Sequence, residues 1–319
     1  LSGYLALSVD LSGIGNVDRL AAAAEAACFD AGALSVTLTD AVDDAILEPA
    51  PGEVRLWPQT VLQAVFDADG FNATAIVMLA DALGVQPDLI RTEHVADKAW
   101  EREWLKDFHS MRFGDRLWIV PSHELPPLDP QAVIVKLDPG LAFGTGTHPS
   151  TALCLEWLDA NLEKCAVGDA GNGITVVDYG CGSGVLAVAA VRIGDKQHRP
   201  TTSHAFDIDP QALIATRDNA EANAVADRVV IHASNDSLPV VDVVLANILA
   251  GTLIELAPLL TSLVRPGGQL VLAGILDEQA QEVRAAYAPH ATLVACGQRD
   301  GWTALAGTRH AGAYMQATA

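Results

Sequence analysis

Positive charge is scarce in this chain. Lysine and arginine together number 19, against 40 aspartates and glutamates, for a formal charge of −21. Proteins that grip a nucleic-acid backbone need a surplus of Lys and Arg, so direct nucleic-acid binding is not expected. Aromatic residues make up only 5%, so the cores must be built mostly from Ala, Val, Leu and Ile. No run of 18 or more apolar residues occurs, which argues against a membrane-spanning helix. The five cysteines are Cys28, Cys154, Cys165, Cys181 and Cys296. No two are spaced like a zinc knuckle or a redox pair. No metal site is expected, and reduced thiols in a cytoplasm fit best. The opening Leu1-Ser2-Gly3 has neither a Met nor a signal-peptide pattern, and is read as a trimmed start.

What is present suffices for folding. Half of the 319 residues are hydrophobic and 18% are charged, a balance that supports real cores, and the length suits two domains. The acidic surplus either favours a cationic partner such as a basic protein, through steering, or serves solubility alone.

Residues 1–95 are expected to form an α+β unit. Strand-like alternation runs from Tyr4 to Leu11, and a helix from Val17 to Asp30. Short strands are expected over Leu34–Leu38 and Glu53–Trp57, a helix over Asn72–Leu83 and a last strand over Leu89–Val95. This is the ferredoxin-like order. Residues 96–110 are expected as a linker helix, with Trp100, Trp104 and Phe108 four apart on one stripe. From 111 to 319, and most clearly after about 150, strands alternate with helices. Strands are expected at 116–121, 132–137, 175–179, 204–208, 229–233, 240–245 and 269–275. Helices are expected at 151–162, 185–193, 210–223, 252–264 and 278–287. Apolar strands separated by helices imply a buried, largely parallel sheet. Two closing strands, 292–296 and 302–307, have no helix between them, which predicts an antiparallel hairpin at one edge.

The strongest chemical signal is Asp178-Tyr179-Gly180-Cys181-Gly182-Ser183-Gly184, between a strand and a helix. Glycines let backbone turn sharply and approach a ligand without Cβ contact. A dinucleotide fingerprint would need glycine at position 185, where Val185 stands, so a nicotinamide dehydrogenase is disfavoured. The spacing resembles the first motif of class I methyltransferases, which cradles the methionine part of S-adenosylmethionine. Asp178 suits the cofactor's ammonium, directly or through water. Asp207 ends the next strand and is placed to accept hydrogen bonds from ribose hydroxyls; nearby Asp209, before Pro210, reads better as a helix cap. Asn247-Ile248-Leu249-Ala250 follows the fourth strand. An Asn carboxamide there can accept a hydrogen bond from an amine and aim its lone pair, which is catalysis by orientation. The segment resembles the Asn-Pro-Pro-Tyr motif of amino methyltransferases without its prolines or tyrosine, which fits a flexible aliphatic amine.

Leu137-Asp138-Pro139-Gly140-Leu141-Ala142-Phe143-Gly144-Thr145-Gly146-Thr147-His148-Pro149-Ser150-Thr151 sharpens the reading. With the motifs above, with Trp100-Glu101-Arg102-Glu103-Trp104, Met111-Arg112-Phe113-Gly114 and Pro51-Gly52-Glu53-Val54-Arg55-Leu56-Trp57, it resembles the PrmA family. That family methylates amino groups of large-subunit ribosomal protein eleven. The resemblance implies a ferredoxin-like recognition domain, a linker helix and a Rossmann-like class I methyltransferase domain. It implies trimethylation of lysine side chains and of the N-terminal α-amine; a cytoplasmic monomer is expected. It places cofactor contacts on Thr151, Gly180, Asp207 and Asn247; Gly182 of the same loop is expected to join them, and Asn247 is also read as the catalytic residue. The glycines at 140, 144 and 146 are read as hinges of a flap carrying Phe143. His148 is read as a hydrogen-bonding residue of that loop rather than a proton acceptor. The small residues Ala246 and Ala250 are read as room for growing methyl groups. Two rival readings remain: a methyltransferase of another basic protein or amine, and a non-catalytic cofactor-binding module on a ribosomal partner.

Overall fold

The computed structural model describes residues 3–12, 17–40, 59–68, 70–96, 109–138, 146–166 and 173–311. The chain divides into two compact units, Leu1–Trp100 and Glu101–Ala319. Of the linker helix expected over 96–110, residues 97–108 lie outside the described residues, while Ala96 ends a strand and 109–110 are not helical; the strand over 53–57 and the flap residues 139–145 also lie outside them.

In the first unit, strand β1 (Gly3–Asp10), helix α1 (Val17–Asp30), strands β2 (Ser35–Asp40) and β3 (Thr60–Asp67), helix α2 (Thr74–Leu83) and strand β4 (Arg91–Ala96) follow in order. The sheet runs β2-β3-β1-β4 with every pairing antiparallel. The described third strand is thus Thr60–Asp67, a stretch given no element from sequence. Its alternation is real: Leu62, Ala64 and Phe66 are buried with Leu5, Leu7 and Val9 of β1. Helix α2 stops at Gly84, whose φ of 66° is left-handed and whose N–H donates back to Ala80 and Asp81.

The second unit opens with a small sheet of β5 (Met111–Phe113), β6 (Leu117–Val120) and β7 (Val133–Lys136). The last two pair in parallel, so residues 121–132 form a crossover rather than a tight turn. The main sheet has seven strands: β8 (Ile174–Tyr179), β9 (Thr201–Phe206), β10 (Val229–His232), β11 (Val241–Asn247), β12 (Val264–Leu276), β13 (Ala291–Arg299) and β14 (Trp302–Arg309). Their order is β10-β9-β8-β11-β12-β14-β13. The first five are parallel. The hairpin β13–β14 is antiparallel, as expected, with β14 wedged between β12 and β13.

One face of this sheet is covered by α3 (Pro149–Asn161), α4 (Val185–Lys196) and α5 (Pro210–Ala222), through residues such as Leu155, Leu158, Val188 and Ala220. The other is covered by α6 (Ala250–Glu255), α7 (Ala257–Leu263) and α8 (Ala280–Tyr287), through Leu253, Leu260 and Val283. The single helix expected over Thr252–Val264 is two helices. Pro258 stands in the first turn of α7, where its missing N–H does no harm, and Val264 already belongs to β12. Among the described residues no helix is long and apolar enough to cross a membrane.

A buried polar clamp fixes the sheet's entry end. Asp242 accepts hydrogen bonds from the Thr175 N–H (2.9 Å), the Thr175 hydroxyl (2.8 Å) and Arg265 Nε (2.7 Å). At the opposite end, strand order reverses between β8 and β11. In a doubly wound sheet that reversal opens a crevice at the strands' carboxyl ends.

Candidate active site

Three glycines shape the turn from β8 into α4. Gly180, Gly182 and Gly184 have φ of 75°, 53° and 75°, a region L side chains rarely adopt. The loop is pinned on both sides. Gly180 and Cys181 donate their N–H groups to the Phe206 carbonyl, at 2.8 and 3.0 Å. From α5, the Thr216 hydroxyl donates to the Gly182 carbonyl (3.1 Å) and Asn219 Nδ2 to the Ser183 carbonyl (2.8 Å). Thr216 and Asn219 carried no motif in sequence; their role appears only once α5 packs beside the loop.

The carboxylates are placed by backbone amides. Asp207 accepts from Gly182 N (2.9 Å) and Asp209 N (2.9 Å), so it joins the ends of β8 and β9. Asp209 caps α5 by accepting from Gln211 N at 2.9 Å, as its position before Pro210 predicts. Asp178 is buried behind the loop. Its Oδ2 accepts from Ala187 N in the first turn of α4 (3.0 Å), while Oδ1 has no hydrogen-bond partner among the described residues. Burial pushes the Asp178 carboxyl up to about 7, and the nearby Asp207 charge pushes the same way.

The crevice holds a cavity of about 620 Å³, within the size range of small-molecule sites. Gly180, Gly182, Asp207 and Asn247, four of the five residues proposed from sequence, line it together. Beside Asp207, Phe206 and the 89%-exposed Ile208 give it an apolar wall. His148, Gly274 and Trp302 line it as well.

Thr151, the fifth, is buried on α3 and does not line the cavity. Its Oγ1 instead accepts a hydrogen bond from Asn247 Nδ2 at 3.0 Å. The cap of α3 is His148, whose Nδ1 accepts from Ser150 N (3.3 Å) and lies 2.7 Å from the Ser150 hydroxyl. Burial lowers the His148 pKa, and its ring meets Trp302 edge-on at 4.6 Å between centroids.

After Asn247 the chain is wedged between glycines. A Cβ on Gly274 would come 2.3 Å from the Ile248 carbonyl, and Gly274 has a φ of 80°. Ala246 and Ala250 are buried in the core and do not line the cavity, whose small lining residues include Gly180, Gly182 and Gly274. Trp302 and Gly274 were missed from sequence. For Gly274 a signal existed, since a lone glycine inside the apolar run Leu270–Ile275 marks close backbone approach.

The model of the family described as Ribosomal protein L11 methyltransferase (PrmA) matches residues 16–310. The chain belongs to that family. A ribosomal protein L11 methyltransferase of Pseudomonas aeruginosa is 50% identical over 290 residues, covering 90% of this chain and 94% of that protein. One from Vibrio cholerae is 47% identical over 283 residues, covering 88% and 91%. Among solved structures, ribosomal protein L11 methylase from Lactobacillus delbrueckii subsp. bulgaricus superposes with a TM-score of 0.54 at 29% identity, covering 64% of this chain and all of that one.

A PrmA-family enzyme is a class I methyltransferase, and its methyl donor is S-adenosylmethionine. The residues present fit that donor. The glycine loop leaves backbone open to the cavity beside the acceptor oxygens of Asp207 and the carboxamide of Asn247, and Asp178 behind the loop keeps one carboxyl oxygen without a hydrogen-bond partner among the described residues.

Proposed function

We propose that this methyltransferase acts on amino groups of ribosomal protein L11, namely lysine side chains and the N-terminal α-amine, and adds up to three methyl groups. The observation that carries the reading is the uncharged carboxamide of Asn247 on the wall of the cavity that Asp207 also lines. Gly180 and Gly182 would hold the donor by their backbone, Asp207 would take the ribose hydroxyls, Asp178 the ammonium, and Phe206 with Ile208 the apolar ring. The donor supplies a methyl group bonded to positively charged sulfur.

On the acceptor side, Asn247 Oδ1 accepts an N–H from the incoming amine and so fixes the direction of its lone pair. A free lysine has a pKa of about 10.4, so it must arrive neutral or lose a proton in the site. The largely apolar walls favour the neutral amine. His148 Nδ1 already accepts from Ser150 N, and burial disfavours the charged ring, so the proton is proposed to leave to water rather than to this imidazole. Residues 1–95 serve as the recognition domain, 96–110 as the linker and 111–319 as the catalytic domain. Their acidic surplus suits a basic protein substrate. The enzyme works as a cytoplasmic monomer and contacts no nucleic acid; its five free thiols fit that compartment.

The test is mass spectrometry of L11 after incubation with isotopically labelled donor. Label on lysine and N-terminal amines is the expected result. A fully unlabelled protein would remove the substrate assignment.

A further inference from the structure

We infer that α5 is a polar rail for the donor loop, with Thr216 and Asn219 as positioning residues that set how tightly the donor is held. The inference rests on the reading of the Gly180–Gly184 turn as the donor's cradle. Thr216, Asn219 and Asn223 stand three and four residues apart, so they share one side of the helix. Thr216 and Asn223 are buried and Asn219 is half-buried, while Arg217, Asp218, Glu221 and Ala222 between them are exposed. A row of amides and a hydroxyl thus faces the protein, beside the buried Ala212 and Ala220, where apolar side chains are usual. No residue of α5 is among the described residues that line the cavity.

Each member of the row bonds to the backbone of another element. The Thr216 hydroxyl donates to the Gly182 carbonyl at 3.1 Å and, with its proton directed there, accepts from the Cys181 thiol at 3.2 Å. Asn219 Nδ2 donates to the Ser183 carbonyl at 2.8 Å. Asn223 exchanges two bonds with Lys136: the Lys136 N–H donates to Oδ1 and Nδ2 donates to the Lys136 carbonyl, both at 2.7 Å. A carboxamide carries the same donor and acceptor pair as a peptide, so Asn223 stands in for a neighbouring strand along the outer edge of β7. That fastens α5 to the small sheet independently of the donor loop.

The loop needs such support because of its glycines. A chain free to leave its left-handed φ values would have to be ordered each time a donor binds. Bonds from a fixed helix to the Gly182 and Ser183 carbonyls settle two successive peptide planes beforehand. The donor then meets a loop already in its binding shape. The effect falls on donor affinity and not on the transfer step, because neither side chain lines the cavity.

The experiment uses Thr216→Val, Thr216→Ser and Asn219→Asp in the full-length protein. S-adenosylhomocysteine affinity by calorimetry is read beside kcat and the donor's KM for transfer to L11, and beside a urea titration. Valine keeps the shape of threonine and removes its hydroxyl. Aspartate keeps the shape of asparagine and sets a carboxylate oxygen against the Ser183 carbonyl. Each should weaken affinity about tenfold, the scale of one hydrogen bond, and raise the donor's KM in step. At saturating donor, kcat should stay within about twofold of wild type. Thr216→Ser keeps the hydroxyl and should restore most of the affinity. Should either variant not fold, Thr216→Ala and Asn219→Ala answer the same question. Wild-type affinity alongside a lowered urea midpoint would make the row a purely structural feature and overturn the inference, as would a loss of kcat with KM unchanged. If Gly180→Ala, which alters the loop itself, binds S-adenosylhomocysteine as wild type does, the reading of the loop falls instead.

Discussion

The Cγ2 methyl of Ile248 lies 2.3 Å from the place a Cβ on Gly180 would occupy. The donor loop and the acceptor loop thus touch through one side chain and one missing side chain. Either loop can move only by displacing the other.

Gly180→Ala should therefore damage both halves of the reaction. The added methyl collides with Ile248 and the backbone must hold a φ of 75°. Calorimetry should show at least a tenfold loss of cofactor affinity, and turnover should fall further than saturating cofactor can restore. Gly274→Ala meets backbone rather than a side-chain tip, so relief is harder. It should lower unfolding free energy by about 1–3 kcal/mol and displace Asn247. A denaturant titration matching wild type would contradict this.

Asp207 and Asn247 should separate binding from chemistry. Asp207→Ala removes the proposed ribose acceptor and also orphans the Gly182 N–H. Cofactor affinity should fall about tenfold to a hundredfold, the scale of a hydrogen bond to a charged group. Asn247→Ala should leave that affinity nearly intact and slow transfer. Steady-state kinetics alongside calorimetry checks both. Normal turnover in the two variants would remove the site assignment.

The pH dependence of cofactor affinity should report Asp178. Burial holds its carboxyl near 7 in the free enzyme, so it is largely protonated below that pH. A cationic ammonium binds the ionised form. Affinity should therefore rise with pH up to about 7 and level off above. Stability runs the opposite way. A carboxyl raised above its unfolded value of 3.8 binds more protons when folded. Its contribution is full below about 3.8 and is lost as pH climbs through about 7. Calorimetry on wild type and Asp178→Asn across that range tests the binding claim; a rise of equal slope in both would exclude Asp178 as its source.

The polar clamp at the entry end should matter for folding alone. Asp242→Ala leaves the Thr175 N–H unpaired in the core and frees Arg265 Nε. The expected cost is about 2–4 kcal/mol, seen in a urea titration, with cofactor affinity of the folded fraction unchanged. A cost under about 0.5 kcal/mol would mean that water replaces the carboxylate there.

The catalytic sheet was readable because parallel strands buried on both faces must be largely apolar, and β8 and β11 are so through Val176–Val177 and Val243–Ala246, with their polar residues near the strand ends. Gly180, Gly182, Asp207 and Asn247 were readable because each sits at a strand's carboxyl end, in a turn whose residue types are chemically constrained. Most of what escaped had no local signature. The Thr151–Asn247 hydrogen bond spans two elements with no sequence marker of their meeting. Trp302 enters the cavity only because β14 lies against β12. The break between α6 and α7 was legible after all: Pro258 announced it, and the apolar periodicity on either side concealed it. In the first unit, β3 went unassigned because two of its inward positions are the small residues Thr60 and Ala64.

The insertion of β14 between two earlier strands sets an order of assembly. A nascent chain grown as far as β12 already possesses the donor loop, both acidic residues and Asn247. It still lacks the partner for β12's outer edge and the indole of Trp302 on the cavity wall. The cavity wall is thus completed only with the final hairpin, after every residue proposed for the site has been translated.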